Sequence, residues 1–260
     1  MLKNSNLLPH PGHEKPHSTT FDNQLIELES VDSTNNYAMA RVHEGMAFDG
    51  LVCLAHHQSA GKGQRGKSWV SERGHSLTMS LVIEPGSLIL SQQFLFSAAV
   101  GLGILDLMLT KEKDNWSIKW PNDIYWNDRK AAGILIESVI QGEKWLFAVA
   151  GIGINLNQEF FPTEIPNAIS LKNITGIKYE PVSFASELVI AIQNRISLLR
   201  SEPEQILAAF NESLYKKDLA ISLKKGADIF KARLVGVDQM GLLITDIGYF
   251  NLGEIELIGS

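Results

Sequence analysis

At 260 residues and 45% hydrophobic content, the chain can bury one large core, or a large core and a small one. Its formal net charge of -6 speaks against constitutive nucleic-acid binding, which needs a basic face to neutralise phosphates. The lone Cys53 excludes an internal disulfide and a Cys-based zinc site, and its apolar surroundings at 51–55 read as those of a buried structural thiol.

Residues 1–24 are polar and rich in proline and histidine, and a disordered tail is expected there. His10, His13 and His17 lack the acidic or cysteine partner that would complete a metal site. No basic-then-apolar leader is present, so the expected compartment is the cytoplasm. From Gln24 the pattern turns globular. Residues 25–29 alternate as a strand does, and Ser33 stands where a helix through Tyr37 and Met39 needs its cap. A strand over 51–56 follows. Residues 69–84 carry no helical stripe, and the β-favouring run 77–83 predicts a third strand. The apolar stretch 94–110 falls short of the ~20 residues of a membrane span and contains Ser97 and Asp106, which predicts a buried helix over 91–110. Short strands are expected at 117–120 and 124–126, then a polar turn at 127–130 and further strands at 131–137 and 145–156. Helical spacing returns over 183–200. Ser201-Glu202-Pro203-Glu204 has capping-box spacing ahead of a last helix ending near Tyr215. Beyond Lys216, short strands at 220–223, 230–237, 242–247 and 254–258 are separated by glycine turns. They predict a small β-barrel packed closely on the rest.

Between the strands at 51–56 and 77–83 lies the segment from Gln58 to Trp69, with three glycines, three cations and no acid. Its backbone amides and side-chain charges are available to an anion. Residues 61–68 also fit G-x-x-x-x-G-K-[ST], the phosphate-binding P-loop pattern, which requires a helix to follow at once. Here Gly74 and strand-like residues follow instead. The acid-ended apolar run 242–246 that would complete such a site lies in the small C-terminal region. The P-loop reading is set aside, leaving an anion cradle, with a solvated basic turn as the plain alternative.

Five blocks then carry a family resemblance. Gly61-Lys62-Gly63-Gln64-Arg65-Gly66 with Trp69 resembles the G-R-G-R-x-G signature of biotin-protein ligases. Ser33-Thr34-Asn35, Lys119-Trp120-Pro121-Asn122-Asp123, Arg129 to Leu135 (R-K-x-x-G-I-L) and Gly151-Ile152-Gly153-Ile154-Asn155 resemble its other blocks, in the family's order. Residues 237–243 are similar to a hairpin of its C-terminal domain. The resemblance implies an α+β fold, with a class II aminoacyl-tRNA synthetase-like catalytic domain of the biotin/lipoate ligase type over 25–215 and an SH3-like barrel over 216–260.

The same resemblance implies ATP and biotin as substrates, with Mg2+, and the biotin carboxyl carrier domain of acetyl-CoA carboxylase or a related carboxylase as partner. It assigns biotin to Ser33, Thr34, Asn35, Gln58, Gly61, Lys62, Gly63, Trp69, Lys130, Gly133, Leu135, Gly151 and Gly153. It assigns ATP to Gln64, Arg65, Lys119, Trp120, Asn122, Asp123 and Asn155, with Asp123 as candidate Mg2+ ligand. Gln64 stands where many members carry arginine. Some members begin with a winged helix-turn-helix, for which the roughly 24 residues ahead of the globular pattern are too few; neither DNA nor a membrane is expected as partner. Pairing of edge strands would allow a homodimer, which no residue demands.

Acyl-adenylate chemistry brings a carboxylate against a phosphate, so a positioned cation must screen their repulsion. Lys130, predicted in the turn, is the first candidate, and Lys62 and Arg65 can add charge as the loop folds over. Gly151 and Gly153, inside a good strand, mark a close approach to the backbone. A lipoate or octanoate ligase and a non-catalytic biotin sensor are the alternative readings.

Overall fold

The computed structural model describes residues 21–258. Of the tail expected over 1–24, residues 1–20, with the three histidines, lie outside the described residues; 21–24 form a turn, with Phe21 packed against the main core. Seven strands form the main sheet: β1 (Leu25–Leu28), β2 (Val52–Ala55), β3 (Ser76–Ile83), β4 (Trp116–Lys119), β5 (Asp123–Trp126), β6 (Arg129–Gln141) and β7 (Lys144–Asn155). Their order is β1-β2-β3-β7-β6-β5-β4, with β1 and β2 parallel and every other neighbour antiparallel.

One face of the sheet carries the main core. There α2 (Gln93–Lys111) and α4 (Pro181–Ser201) pack over Leu54, Leu77, Met79, Ile134, Ile152 and Ile154, and α5 (Pro203–Glu212) packs on α2 and α4. Helix α2 is apolar on nearly all sides because both the sheet and α4 cover it. At Gly103 a Cβ would lie 2.7 Å from the Ile192 Cα, so only glycine permits this crossing. Asp106, polar within the apolar stretch, is satisfied by a two-pronged pair with Arg195 of α4 at 2.6 and 2.7 Å. With the turn before it, α2 runs over 22 residues and is long and apolar enough to cross a membrane, longer than 94–110 suggested; 72% of its most apolar window is buried inside the protein.

Among the described residues, the one helix on the other face is α1 (Thr34–His43), seated on a small cluster of Ala38, Leu51, Cys53, Val82 and Val149. Burial pushes the Cys53 thiol up to about 12, so it is not a nucleophile at neutral pH. A second, antiparallel sheet has the order β11-β10-β9-β8-β12, built from β8 (Ala220–Lys225), β9 (Asp228–Val237), β10 (Leu243–Thr245), β11 (Gly248–Phe250) and β12 (Glu256–Ile258). Its pairing leaves β11 and β12 as two edges, where the sequence led us to expect a barrel. Its Leu223, Leu234, Val237 and Leu243 share one core with Phe94 and Phe210.

Several local expectations change. The Ser33 hydroxyl precedes α1 but does not cap it, and Ser201, expected to open the capping box of the last helix, instead ends α4 and donates to the Leu198 carbonyl at 3.2 Å, while Glu202 precedes α5 without a side-chain cap. Helix α5 stops at Glu212, before Tyr215. The polar turn is confined to Asn127 and Asp128, so Lys130 lies on β6 rather than in a turn. A short helix, α3 (Leu171–Thr175), escaped the sequence because its signal is local. Ser170 and Asn173 cap it reciprocally, and Gly176 at φ +74° ends it.

Candidate active site

Strand side chains alternate faces, so the register of β3, β7 and β6 aligns Thr78 with Gly153 and Gly133, and Ser80 with Gly151 and Leu135, on the α1 side. Three of these positions lack side chains, which leaves a flat window in the sheet. Two side chains approach this window closely. A Cβ on Gly151 would fall 2.3 Å from Asn35 Oδ1, and one on Gly153 would fall 2.4 Å from Trp69 Cε2; at Gly133 the gap to Trp69 Cζ3 is 3.3 Å. The glycines seat Asn35 and Trp69, and all five residues line the same cavity.

A polar network closes one end. Gln58 Oε1 accepts from the Thr34 backbone N–H at 2.7 Å and from Thr34 Oγ1 at 3.1 Å. Ser80 Oγ, fully buried, lies 2.8 Å from Thr34 Oγ1 and 2.6 Å from Asn35 Oδ1. The Asn35 amide donates to Glu137 Oε2 at 2.8 Å and to the Leu135 carbonyl at 3.3 Å. Ser33 is buried beside them. Thr34 and Gln58 thus satisfy each other in this state, and a polar ligand group would have to exchange with one of them.

The loop folds back on itself. Trp69 N–H donates to the Gly61 carbonyl at 2.9 Å and Gly63 N–H to the Lys67 carbonyl at 2.7 Å, around a single 3-10 turn at Gln64–Gly66. Arg65 at φ +56° and Gly66 at φ +75° both occupy the left-handed region. A Cβ on Gly61 would sit 2.5 Å from the Trp69 carbonyl, so this crossing also requires glycine. No helix follows Trp69 before β3, which removes the P-loop geometry. The cations diverge: Lys62 Nζ lies 3.7 Å from Glu137, whereas Arg65 donates to the Ile255 carbonyl at 3.2 Å and Lys67 pairs with Glu256 at 2.9 Å. Those contacts hold Glu256 below the usual carboxylate range, chiefly through the Lys67 hydrogen bond.

At the other end, Lys130 is pinned by its backbone, donating to the Asn167 carbonyl at 2.6 Å and accepting from Ile169 at 2.9 Å. Its ammonium pairs with Asp123 at 2.6 Å and lies 5.8 Å from the centre of the Trp69 ring. The Asn155 amide donates to the Ile169 carbonyl at 3.2 Å and reaches the Lys130 carbonyl at 3.4 Å, while Asn122 donates to the Ile134 carbonyl at 2.6 Å. Both amides therefore shape backbone in this state. The Trp120 indole is turned into the second sheet, donating to the Gly241 carbonyl at 3.1 Å. Lys119 donates to Tyr125 Oη at 3.2 Å, and burial lowers its pKa from the ordinary lysine value.

Three cavities meet along this line. The first, about 50 Å³, is lined by Ser33, Thr34, Asn35, Gln58, Lys62 and the glycine window. The second, about 230 Å³, is lined by Ser68, Val70, Tyr125, Asn155 and residues 165–168. The third, about 360 Å³, is lined by Arg65, Lys67, Lys119, Asp123, Ile255 and Glu256. Lys130 and Trp69 line all three.

A family model described as the biotin/lipoate A/B protein ligase family matches residues 27–155, a span that contains all five sequence blocks. The chain is 29% identical over 231 residues to the biotin–[acetyl-CoA-carboxylase] ligase of Mycobacterium tuberculosis, covering 86% of this chain and 84% of that one. It superimposes with TM-score 0.76 and 26% identity on the biotin protein ligase of Aquifex aeolicus in complex with biotin and ATP, covering 91% of this chain and 99% of that one. The chain belongs to the biotin/lipoate protein ligase family. A further relative in the family, the bifunctional ligase/repressor BirA of Salmonella typhimurium, is 30% identical over 193 residues, which are 73% of this chain and 58% of BirA. The mixed α/β architecture is that of the biotin protein ligase structures.

Within this family member, the sequence blocks fall around the three cavities. Ser80, Glu137, Tyr125, residues 165–168 and β12 were missed. A signal existed for Ser80 and Glu137, both polar positions within otherwise apolar strands. None existed for β12, which reaches the loop only through the packing of the second sheet.

Proposed function

We propose that the chain is an ATP-dependent ligase that activates biotin as biotinyl-5'-AMP and transfers biotin to a lysine of a biotin carboxyl carrier domain. The carrying observation is that Lys130 lines all three cavities, with its backbone fixed on both sides. An ammonium at that junction can meet a carboxylate arriving from the first cavity and a phosphate arriving from the others.

In the first step a biotin carboxylate oxygen bonds to the α-phosphorus of ATP and the bond to pyrophosphate breaks. Two unit charges 4 Å apart repel by about 4 kcal/mol at an effective dielectric of 20, and Lys130 offsets that term where charge builds up. To do so it exchanges Asp123 for the reacting anions. Lys119, already partly stripped of water, and Arg65 and Lys67 face the cavity best suited to the departing pyrophosphate. In the second step the carrier lysine amine attacks the acyl carbon and AMP leaves. The loop, held over the anhydride, keeps water out.

The first cavity, at about 50 Å³, is far below the roughly 300 Å³ that ligand sites begin at, so a wall must move for biotin to enter. Residues 58–69, with one 3-10 turn and isolated bridges in place of a strand or α-helix, form the longest such stretch of that wall. Magnesium fits only as a companion of the nucleotide. Asp123 supplies a carboxylate, and among the described residues no group of three or more acidic, His or Cys side chains could hold the ion alone. Mg2+ supplies charge neutralisation on the phosphates when bound. A cytoplasmic setting, where ATP and apo-carrier are at hand, accords with this reading.

The test is to incubate the protein with Mg-ATP, labelled biotin and an apo-carrier domain, with a lipoate arm alongside. Transfer of biotin to the carrier lysine is expected. Transfer of lipoate alone, or tight biotin binding without adenylate, would overturn the reading in favour of a lipoate ligase or a biotin sensor.

A further inference from the structure

Glu137 lies on β6, opposite Val149 and on the site face of the sheet, with a side chain 31% exposed. No sequence block assigned it a role, yet its two oxygens face different parts of the site. Oε2 accepts from the Asn35 amide at 2.8 Å, while Oε1 faces Lys62 Nζ at 3.7 Å. Asn35 is held from its other side by Ser80 at 2.6 Å and fits only because Gly151 has no side chain. A continuous polar chain therefore runs from buried Ser80 through Asn35 and Glu137 to the ammonium of the loop.

We propose that Glu137 is a positioning residue for ligation: one carboxylate oxygen orients Asn35 in the pocket, and the other ties the loop through Lys62, keeping the lid closed. The proposal rests on the ligase reading for its catalytic meaning, though not for the tie itself. The loop has a second tie on the far side, at Ile255 and Glu256, so it is held at both ends of its arch. Gln58 at the base of the loop already meets Thr34, and the Lys62 contact adds, through Glu137 and Asn35, a link from the arch of the loop to the same helix. A partly exposed pair of this kind shifts an opening equilibrium only modestly, by about two- to five-fold. That is enough to change how long a bound intermediate is kept.

Two substitutions separate the two oxygens. Glu137→Gln keeps an acceptor for Asn35 but removes the charge that holds Lys62, whereas Glu137→Ala removes both. The first readout needs no ligand: cleavage after Arg65 by an arginine-specific protease in the full chain. Glu137→Gln and Lys62→Met are each expected to speed cleavage about two- to five-fold, and the double variant no further, because both remove the same contact. The second readout is release of preformed biotinyl-AMP and, separately, biotin affinity. Glu137→Gln is expected to speed release with little change in biotin affinity, and Glu137→Ala to weaken both. Wild-type cleavage in Glu137→Gln, or full additivity with Lys62→Met, overturns the tie. Wild-type biotin affinity in Glu137→Ala overturns the orienting role. Failure of the wild-type protein to form biotinyl-AMP would overturn the ligase reading instead, while the cleavage rates still decide the tie.

Discussion

Replacing Gly153 by alanine tests the central packing feature of the site. Gly153 has an ordinary extended backbone, so alanine costs nothing in φ and, in a strand, should stabilise slightly by restricting the unfolded chain. The structure reverses that sign. The new methyl would stand 2.4 Å from Trp69 Cε2 and 2.7 Å from Cδ2 and Cζ2, whereas ordinary contact begins at 3.4 Å. The indole must therefore retreat by about 1 Å, at a cost of about 1–3 kcal/mol for overpacking. Trp69 lines all three cavities, so the shift reaches the reacting centre. A displacement of that size costs on the order of 100-fold in rate. The assays are thermal melting and ATP- and biotin-dependent pyrophosphate release. Adding Trp69→Leu to the alanine variant should restore melting temperature without restoring rate, since the smaller side chain no longer meets the methyl. Unchanged melting temperature and pyrophosphate release in Gly153→Ala would refute the argument that the indole is wedged there.

Three further substitutions test the charges. Lys130→Ala is expected to fold normally and to lose at least about 100-fold in adenylate formation, the scale of losing one preorganised charge contact; wild-type pyrophosphate release would disprove its role. Arg65→Ala should speed biotinyl-AMP dissociation more than it weakens biotin binding, measured by filter retention against titration calorimetry, and equal effects on both would argue against a lid. Lys119→Met should raise the Michaelis constant for ATP while raising the melting temperature at pH 7. Burial lowers the Lys119 pKa in the folded state, so the unfolded chain binds more protons between that value and the ordinary 10.5, and wild-type stability rises with pH through this window. The stabilising effect of the substitution should therefore shrink as pH approaches 10.5. A lower melting temperature at pH 7 would contradict the burial argument.

Much of this was legible in the sequence, for identifiable reasons. Strands β2, β3, β6 and β7 carry strong apolar patterns, and α2 and α4 are long enough for their periodicity to stand out. The loop was legible by composition, and Gly74 showed that no helix follows it. What failed were features fixed by tertiary partners. Lys130 reads as part of a turn, yet pairing with Tyr125 of β5 places it on β6, and Asn167 and Ile169 bond its backbone on the other side. Gly151 and Gly153 announced a close approach without saying what approaches, because Asn35 and Trp69 lie over a hundred and about eighty residues away in the chain. The capping signals at Ser33 and Ser201 were overridden. Ser33 is buried at the pocket wall, and Ser201 is drawn into the last turn of α4, where its hydroxyl donates to the Leu198 carbonyl. The divergence of Lys62 from Arg65 and Lys67 depends on Glu137 and Glu256, which no local pattern links to the loop.

The core shared by the two sheets bears on how the protein fails under heat. Phe94 and Phe210 pack in one apolar cluster with Leu223, Leu234 and Leu243, so the strand that anchors Arg65 and Lys67 cannot detach while the pocket stays intact. Such a protein should melt in a single cooperative transition rather than pass through a warm, leaky form that still makes the reactive anhydride but lets it escape. Loss of containment and loss of catalysis would coincide, which confines stray acylation of neighbouring proteins to temperatures where none of the intermediate is being made.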